Sequence, residues 1–524
     1  MVYLLSQIVD RSAEKFPDRS AFRFYGESLN YSELSSRSNQ LARTLAEQGV
    51  RRRDRVGIFM NKCIEMPLTV HGIMKAGAAY VPIDPEAPVA RLKYIIQHCG
   101  IQVLIAQASK VKILSDIIAE TELDCLVGID ETSGLTIRTV PWQEVYDASS
   151  QTPDSGPMTE QDLAYIMYTS GSTGEPKGIM HTHHSGLSYA KLSAETYQVC
   201  EKDILGNHSP LHFDMSTFEF FSGPLKGACT VLIPEEYTKL PASLSNLIAD
   251  EHLTIWYSVP FALIQLLLRG AMETRDLSAL RWILFGGEPF PVGYLRELMI
   301  RLPNARFSNV YGPAEVNQCA FYHIPKPPEK GEDSVPIGQI WAIIEGLVID
   351  QHDQPVDPGT TGELMIRSPT MMQGYWNRED LNQRAFYYRT PFPGYQETFY
   401  RTGDLVQLTE TGNYKYLGRK DRQIKTRGYR VELDEIETAL SSHKQIEEAA
   451  AFPLPDSEGS TLISAGVTLK DNQKVTESEL MKYLKTKLPW YAVPRRIDIV
   501  KAFPRTSSGK IDRRALQHQA VTKS

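Results

Sequence analysis

Short apolar runs alternate with amphipathic stretches over the first four-fifths of the chain. RVGIF, AYVPI, VLIA, LAYIMYT, ACTVLIP, TIWYSV, RWILFG and FSNVYG read as buried strands. NQLARTLAEQ and SNLIADEH read as helices between them. Such alternation predicts an α/β fold, with mainly parallel sheets flanked by helices. Ligands of such folds sit at the carboxyl ends of strands. Glycine-rich segments fall at those ends here, after LAYIMYT, after RWILF and after FSNV.

The pattern changes near GRKDRQIKTRGYRVELDEIE, where charge density rises. A compact set follows: a strand, the helix DEIETALSSH, the strands EEAAAFPLP and TLISAGVTLK, and the helix SELMKYLKTKL. This predicts a large N-terminal domain over 1–420 and a small α+β C-terminal domain over 421–524. A chain of 524 residues is long enough for two or more cores. The formal net charge of -7 argues against a general nucleic-acid binder. Cys63, Cys99, Cys125, Cys200, Cys229 and Cys319 are scattered, with no CxxC pair to suggest zinc or redox chemistry. Scattered cysteines fit a reducing, cytoplasmic setting. No apolar run reaches the roughly 18 residues a membrane span needs, and MVYLLSQIVDRSAEKF lacks the build of a signal peptide.

YTSGSTGEPKG, at 168–178, carries the densest set of small and hydroxylated residues, with Lys177 near its end. A loop of this kind after a strand exposes backbone N–H groups and hydroxyls that suit phosphate oxygens. It is not a P-loop, because no glycine immediately precedes Lys177. The plain alternative is a flexible surface turn. The loop resembles the signature loop of the adenylate-forming ligases, which include acyl-CoA synthetases, luciferases and nonribosomal peptide synthetase adenylation domains. GRKDRQIKTRGYRVELDEIE, YRTGDLV, NVYGPAE, HFDMS and PRTSSGKIDRR resemble further motifs of that family, in its order, and LNYSELSSRSNQLA fits as well.

The resemblance implies that the chain activates a carboxylate with ATP and Mg²⁺, releasing pyrophosphate, and then passes the acyl group to a thiol. It implies that Thr169, Ser170, Gly171, Ser172, Thr173, Gly174 and Lys177 hold the β- and γ-phosphates. Asn309 and Tyr311 would flank the adenine beside Gly312, and Glu315 would bind Mg²⁺ between phosphates, a usual magnesium arrangement. Gly286 and Gly287 would let the backbone approach a planar ligand. Asp404 would accept from the ribose hydroxyls, and Arg419 would reach the ribose or phosphate side. Many family members carry threonine, a contact to the α-phosphate, where this chain has Ala314.

Lys510 matches the family lysine that bridges the substrate carboxylate and the α-phosphate. An ammonium held about 4 Å from those anions contributes on the order of 4 kcal/mol at an intermediate dielectric. The family brings this lysine to the nucleotide by rotating the small domain, and Asp421 matches the hinge.

HFDMS speaks to the substrate. In amino-acid-activating relatives its aspartate, here Asp214, meets the substrate ammonium; the alternative is a helix N-cap for STFEFF. Phe213 would lie beside the reacting carboxylate. The family's pocket positions become Asp214, Met215, Phe218, Tyr257, Leu284, Gly286, Val310, Gln318, Cys319 and Lys510. The lining is mostly apolar and offers no second charge, which disfavours charged side chains. It resembles the pockets of stand-alone prolyl ligases at Tyr257, Leu284 and Cys319, and departs at Phe218, Gly286 and Gln318. L-Proline is the first expectation, with another small apolar amino acid such as valine second.

The chain ends 14 residues after Lys510. A free-standing ligase acting on a phosphopantetheinylated carrier protein in trans is therefore expected, with coenzyme A as the alternative thiol. Arg422, Lys425, Arg427 and Arg430 could meet an acidic carrier or a CoA phosphate, or form a solvated strand face. The rivals are an acyl-CoA synthetase for a non-amino acid and a degenerate nucleotide-binding scaffold, which Ala314 alone supports. HTHH, at 181–184, reads as a loop or helix start rather than a metal site, since adjacent histidines point in different directions.

Overall fold

All eight apolar runs are strands in the structure, a computed structural model: Arg55–Phe59, Ala79–Pro82, Val103–Ala106, Leu163–Thr169, Cys229–Leu232, Ile255–Ser258, Trp282–Gly286 and Arg306–Tyr311. It describes residues 1–130, 134–171, 174–456, 460–471, 473–506 and 511–523. Ser172, Thr173 and Lys510 lie outside the described residues. The chain divides into two compact units. One comprises Met1–Pro85, Ile96–Tyr168 and Gly178–Gly418; the other comprises Glu86–Ile95, Thr169–Lys177 and Arg419–Ser524.

Two large sheets organise the first unit. A nine-stranded sheet runs, in spatial order, Gln339–Ile340, Ala320–Ile324, Arg306–Tyr311, Trp282–Gly286, Ile255–Ser258, Ile204–Asn207, Cys229–Leu232, Ser20–Phe24 and Glu27–Asn30. Its inner strands, from Arg306–Tyr311 through to Ser20–Phe24, pair in parallel. An eight-stranded sheet is centred on Leu163–Thr169, Ala79–Pro82, Arg55–Phe59 and Val103–Ala106, also parallel. The α/β class follows from these strands, buried on both faces and covered by helices. Among the described residues no helix is long and apolar enough to cross a membrane.

One carboxylate fixes the register of three neighbouring strands. Asp203, Thr254 and Arg281 each stand one residue before a strand of the nine-stranded sheet. Arg281 grips Asp203 with Nε at 2.7 Å and Nη2 at 2.6 Å, and the Thr254 hydroxyl donates to Asp203 at 2.8 Å. Burial alone would raise the Asp203 pKa, but these donors outweigh it and hold the carboxyl below its usual range. With their amino ends tied, the strands run in step: Asn207 pairs with Tyr257, Tyr257 with Leu284, and Leu284 with Ser308.

Two features differ from the sequence reading. The helix expected from NQLARTLAEQ spans Tyr31–Glu47. Asn30 and Glu33 close a capping box at its start, with Glu33 N donating to Asn30 Oδ1 at 2.8 Å and Asn30 N to Glu33 Oε2 at 2.9 Å. The chain from 345 to 419 does not continue the βα alternation. Glu345–Ile349, Thr361–Arg367, Tyr395–Leu408, Phe386–Phe392 and Tyr414–Arg419 form a five-stranded sheet. The pairings of its first four strands are antiparallel. Tyr395–Leu408 alternates buried and partly exposed residues through its middle, the mark of a sheet with one wet face.

In the second unit the hairpin Gln423–Thr426 and Tyr429–Glu432 precedes the helix Leu433–Ser441. Ile446–Pro455, Thr461–Leu469 and Arg496–Ile499 form a three-stranded sheet, and Glu477–Lys485 is the second helix. Val431, Ile436, Leu440, Ala465, Val467, Leu480 and Leu484 form its core.

Asp203→Ala is expected to cost about 3 kcal/mol, because it leaves the Arg281 guanidinium with only the Tyr197 and Gln198 carbonyls and no counter-charge from Asp203; urea unfolding of the purified variant measures this. A second expectation concerns acid. Burial, with Lys75 or Lys62 adding to it, pushes His71 and His208 down to about 3, and burial pushes His181 and His183 down to about 4. In the unfolded chain these rings take protons near the ordinary histidine value of 6.5. Between those values the unfolded state binds more protons, so stability is lost as pH falls through 6.5 towards 4. The melting temperature should drop by several degrees from pH 7 to pH 5 in scanning calorimetry.

Candidate functional site

The aligned strands deliver the expected substrate positions of the first unit to one carboxyl edge. Tyr257 and Leu284 stand on one rung, and Gly286 pairs with Val310. A Cβ at Gly286 would lie 2.4 Å from the Val310 carbonyl oxygen, so the neighbouring strands meet only because that position lacks a side chain. Gly287 has φ +93°, which an L side chain rarely adopts. Gly312 is tighter still, since a Cβ there would lie 1.6 Å from the Asn317 carbonyl oxygen.

Asp214 opens the turn after the strand Ile204–Asn207. Its Oδ1 accepts from Met215 N at 3.0 Å, and its carbonyl accepts from Thr217 N at 3.0 Å and the Thr217 hydroxyl at 2.5 Å. The short π-helix Phe218–Ser222 starts after Thr217, so the Asp214 carboxylate is not its N-cap. Its negative charge adds to the burial that raises the phenol pKa values of Tyr165, Tyr189 and Tyr257. Asp214 thus lies within electrostatic reach of three buried tyrosines. Phe213, partly buried, packs edge-on against His212 with centroids 5.0 Å apart, and the Met215 sulfur accepts from the Ser209 hydroxyl at 3.5 Å.

Phe218 meets Tyr257 edge-to-face with centroids 5.9 Å apart, and meets Tyr197 at 5.8 Å. Gln318 Nε2 donates to the Tyr197 hydroxyl at 2.7 Å. Tyr197 therefore links Gln318 to Phe218, and sequence reasoning missed it. It follows the helix His183–Thr196, where nothing in the local pattern separates it from ordinary core. Cys319 is fully buried, its thiol is pushed up by burial, and its backbone N–H donates to the Tyr311 carbonyl at 2.9 Å.

A second group in the same unit surrounds Tyr311. Its hydroxyl donates to Asp404 Oδ2 at 2.5 Å, and burial followed by the Asp404 charge pushes the phenol well above its usual range. Asn309 Nδ2 donates to the Pro336 carbonyl at 2.8 Å. Glu315 is fully buried; the Tyr375 hydroxyl donates to its Oε1 at 2.7 Å, and Met372 N to its carbonyl at 2.7 Å. His181 Nε2 donates to the Ala314 carbonyl at 2.8 Å, and the ring stacks on Tyr165. His183 accepts from Leu5 N at 3.2 Å and begins the helix His183–Thr196. Among the described residues no three His, Cys, Asp or Glu side chains converge as a metal cage.

The second unit holds the remaining positions. Ser170 Oγ donates to the Arg430 carbonyl at 2.9 Å. A Cβ at Gly171 would lie 2.1 Å from the Glu175 carbonyl oxygen, and Gly174 has φ +85°. Lys177 is buried; burial raises the Glu432 pKa, and the Lys177 charge offsets only part of that rise. The Thr169 hydroxyl is buried with no partner among the described residues. A tight glycine cradle with an unspent hydroxyl and a lysine has the chemistry of a polyphosphate site. Arg419 grips Asp421 at 2.9 and 2.5 Å and donates to Gln423 Oε1 at 2.7 Å. Burial would raise Asp421, but this grip holds its carboxyl below the usual range. Of the basic cluster, Arg422 pairs with Asp434 and, at 2.7 Å, with Glu437.

Known proteins share this sequence and architecture. Tyrocidine synthase 2 of Brevibacillus parabrevis is 33% identical over 512 residues, 98% of this chain. The chain spans only 14% of that protein's length. An L-proline--[L-prolyl-carrier protein] ligase of Pseudomonas fluorescens is 30% identical over 523 residues, covering 98% of this chain and 99% of the relative. The amide bond synthetase McbA of Marinactinospora thermotolerans superposes with a TM-score of 0.84 at 22% identity, covering 98% of this chain and 99% of that one. The AMP-binding enzyme family matches residues 9–376, its C-terminal domain matches residues 435–510, and the chain accordingly belongs to the AMP-binding enzymes.

Proposed function

We propose that this protein activates an amino acid, L-proline first, with ATP and Mg²⁺, and transfers it to the phosphopantetheine thiol of a separate carrier protein. The observation that carries the reading is the place of Asp214, in the turn after the strand Ile204–Asn207 and within electrostatic reach of Tyr165, Tyr189 and Tyr257. Asp214 is half-buried, and an amino acid would bring a cation to this carboxylate. A carboxylic acid without an amine brings none, which disfavours an acyl-CoA synthetase for such acids. Proline is supported by the end-to-end similarity to the Pseudomonas fluorescens prolyl ligase.

In this reading Thr169, Ser170, Gly171, Gly174 and Lys177 hold the β- and γ-phosphates, with Ser172, Thr173 and Lys510 completing the set outside the described residues. The buried Glu315 holds Mg²⁺, which supplies charge neutralisation between phosphates when bound. Asn309, Tyr311, Gly312, Gly286 and Gly287 receive the adenine, and Asp404 and Arg419 the ribose side. Phe213, Met215, Phe218, Tyr257, Leu284, Val310, Gln318 and Cys319 shape the amino-acid pocket. One substrate carboxylate oxygen bonds the α-phosphorus as pyrophosphate leaves, with Lys510 offsetting the repulsion of the two anions. The carrier's thiolate sulfur then bonds the acyl carbon and AMP leaves. Residues 1–420 and 421–524 act as the two moving parts, with Asp421 at the hinge.

Pyrophosphate exchange screened over the twenty amino acids tests the reading. Proline should support exchange, and Asp214→Ala should lower kcat/KM for it by roughly 100-fold. Exchange driven only by a different amino acid would overturn proline, and exchange driven only by non-amino acids would overturn the whole assignment. Asp421→Pro should slow acyl transfer to the carrier while leaving exchange within about threefold of the parent; equal loss in both half-reactions would count against the hinge.

A further inference from the structure

A buried lysine outside the expected catalytic and binding set joins the two large sheets. Lys62 follows the strand Arg55–Phe59 of the eight-stranded sheet and is 5% exposed. Its backbone is held by two side chains. Asn61 N donates to Gln107 Oε1 at 2.9 Å, and Lys62 N donates to Glu235 Oε1 at 2.7 Å. The ammonium then reaches the carboxyl end of Ile204–Asn207 in the nine-stranded sheet. It donates to the carbonyls of Asn207 at 2.8 Å and His208 at 2.9 Å. His208 stands six residues before Asp214.

The same cluster touches the element that carries Phe218. Asn207 Nδ2 donates to Glu219 Oε2 at 3.2 Å, and Glu219 lies in the π-helix Phe218–Ser222. The Thr230 hydroxyl donates to the Glu219 carbonyl at 3.0 Å, tying that helix to the next strand. π-Helical turns inside a chain concentrate at functional sites.

We propose that Lys62 is a positioning residue for the amino-acid pocket. It holds the Asn207–His208 carbonyls and so sets the loop from 208 to 213 that presents Asp214. The inference rests on the reading of Asp214 as the amine's partner. A buried ammonium is a costly way to fill space, and its pKa is pushed down by burial to about 8, against the Glu235 and Glu219 charges that raise it. An apolar side chain would fill that volume without the desolvation penalty, but it would take the ammonium donor from the His208 carbonyl and leave the Asn207 carbonyl only Ile233 N at 3.2 Å. The effect should fall on the amino-acid side alone, because the phosphate-loop residues belong to other elements.

The test is pyrophosphate exchange with the full chain, using the amino acid that best supports the parent, with amino acid and ATP titrated separately. Lys62→Met should raise the KM for the amino acid about tenfold and leave the KM for ATP within about twofold. Lys62→Arg, which keeps a cation with several donors, should restore the amino-acid KM to within about threefold. If circular dichroism shows Lys62→Met to be unfolded, Lys62→Gln carries the same expectation. An unchanged amino-acid KM in a folded Met or Gln variant, or an equal rise in both KM values, would overturn the proposal. A parent that exchanges with no amino acid sinks the reading of Asp214 itself, and this inference with it; an active parent with unaffected variants sinks only Lys62.

Discussion

The ion pair between Asp203 and Arg281 is the interaction on which the arrangement of the site rests. It lies at the amino edge of the nine-stranded sheet, at the opposite ends of the strands from Tyr257, Leu284 and Gly286. Parallel strands have no tight turn to set their register, because each pair is joined by a long crossover. A one-residue slip would turn every side chain to the other face. By binding Thr254 and Arg281 to one carboxylate, the chain fixes three starting points at once. The carboxyl ends then follow from strand length.

What reaches that edge is an unusual density of buried carboxyl groups. Glu315, Asp404 and Glu219 are all at most 5% exposed. Each is answered locally, by Tyr375, by Tyr311 and by Asn207 respectively. The answers are neutral donors, which satisfy lone pairs without cancelling charge. Burial pushes the Glu219 pKa up, against the Asn207 amide and the Lys62 charge that lower it.

How much of this was legible in the sequence follows from range. The parallel strands were readable because a strand buried on both faces is apolar throughout, and RWILF or LAYIMYT has no other stable place. The glycine cradles were readable because small residues cluster where backbones approach, as Gly286 does at Val310. The antiparallel sheet over 345–419 was not, because one wet face mixes polar residues into its strands. Lys62 and Tyr197 were invisible for a different reason. Their roles depend on partners more than a hundred residues away, Asn207 for one and Gln318 for the other. No local period or turn chemistry records such a contact.

The second unit shows the same limit from the other side. Its expected helix, two strands and helix are present, but a hairpin stands where one strand was expected, the strand Arg496–Ile499 and the helix Arg513–Lys523 are added, and the unit gathers Glu86–Ile95 and Thr169–Lys177 from far upstream. Within it Arg91 meets Glu435 at 3.1 Å with both side chains buried, and Ser170 meets the Arg430 carbonyl. Buried ion pairs contribute little net stability because desolvation offsets the Coulomb gain, but they tolerate few alternative partners. A pair of this kind selects one arrangement among many that hydrophobic packing would accept. The Ser170 hydroxyl, on the glycine loop, is likewise held by a polar contact of defined geometry.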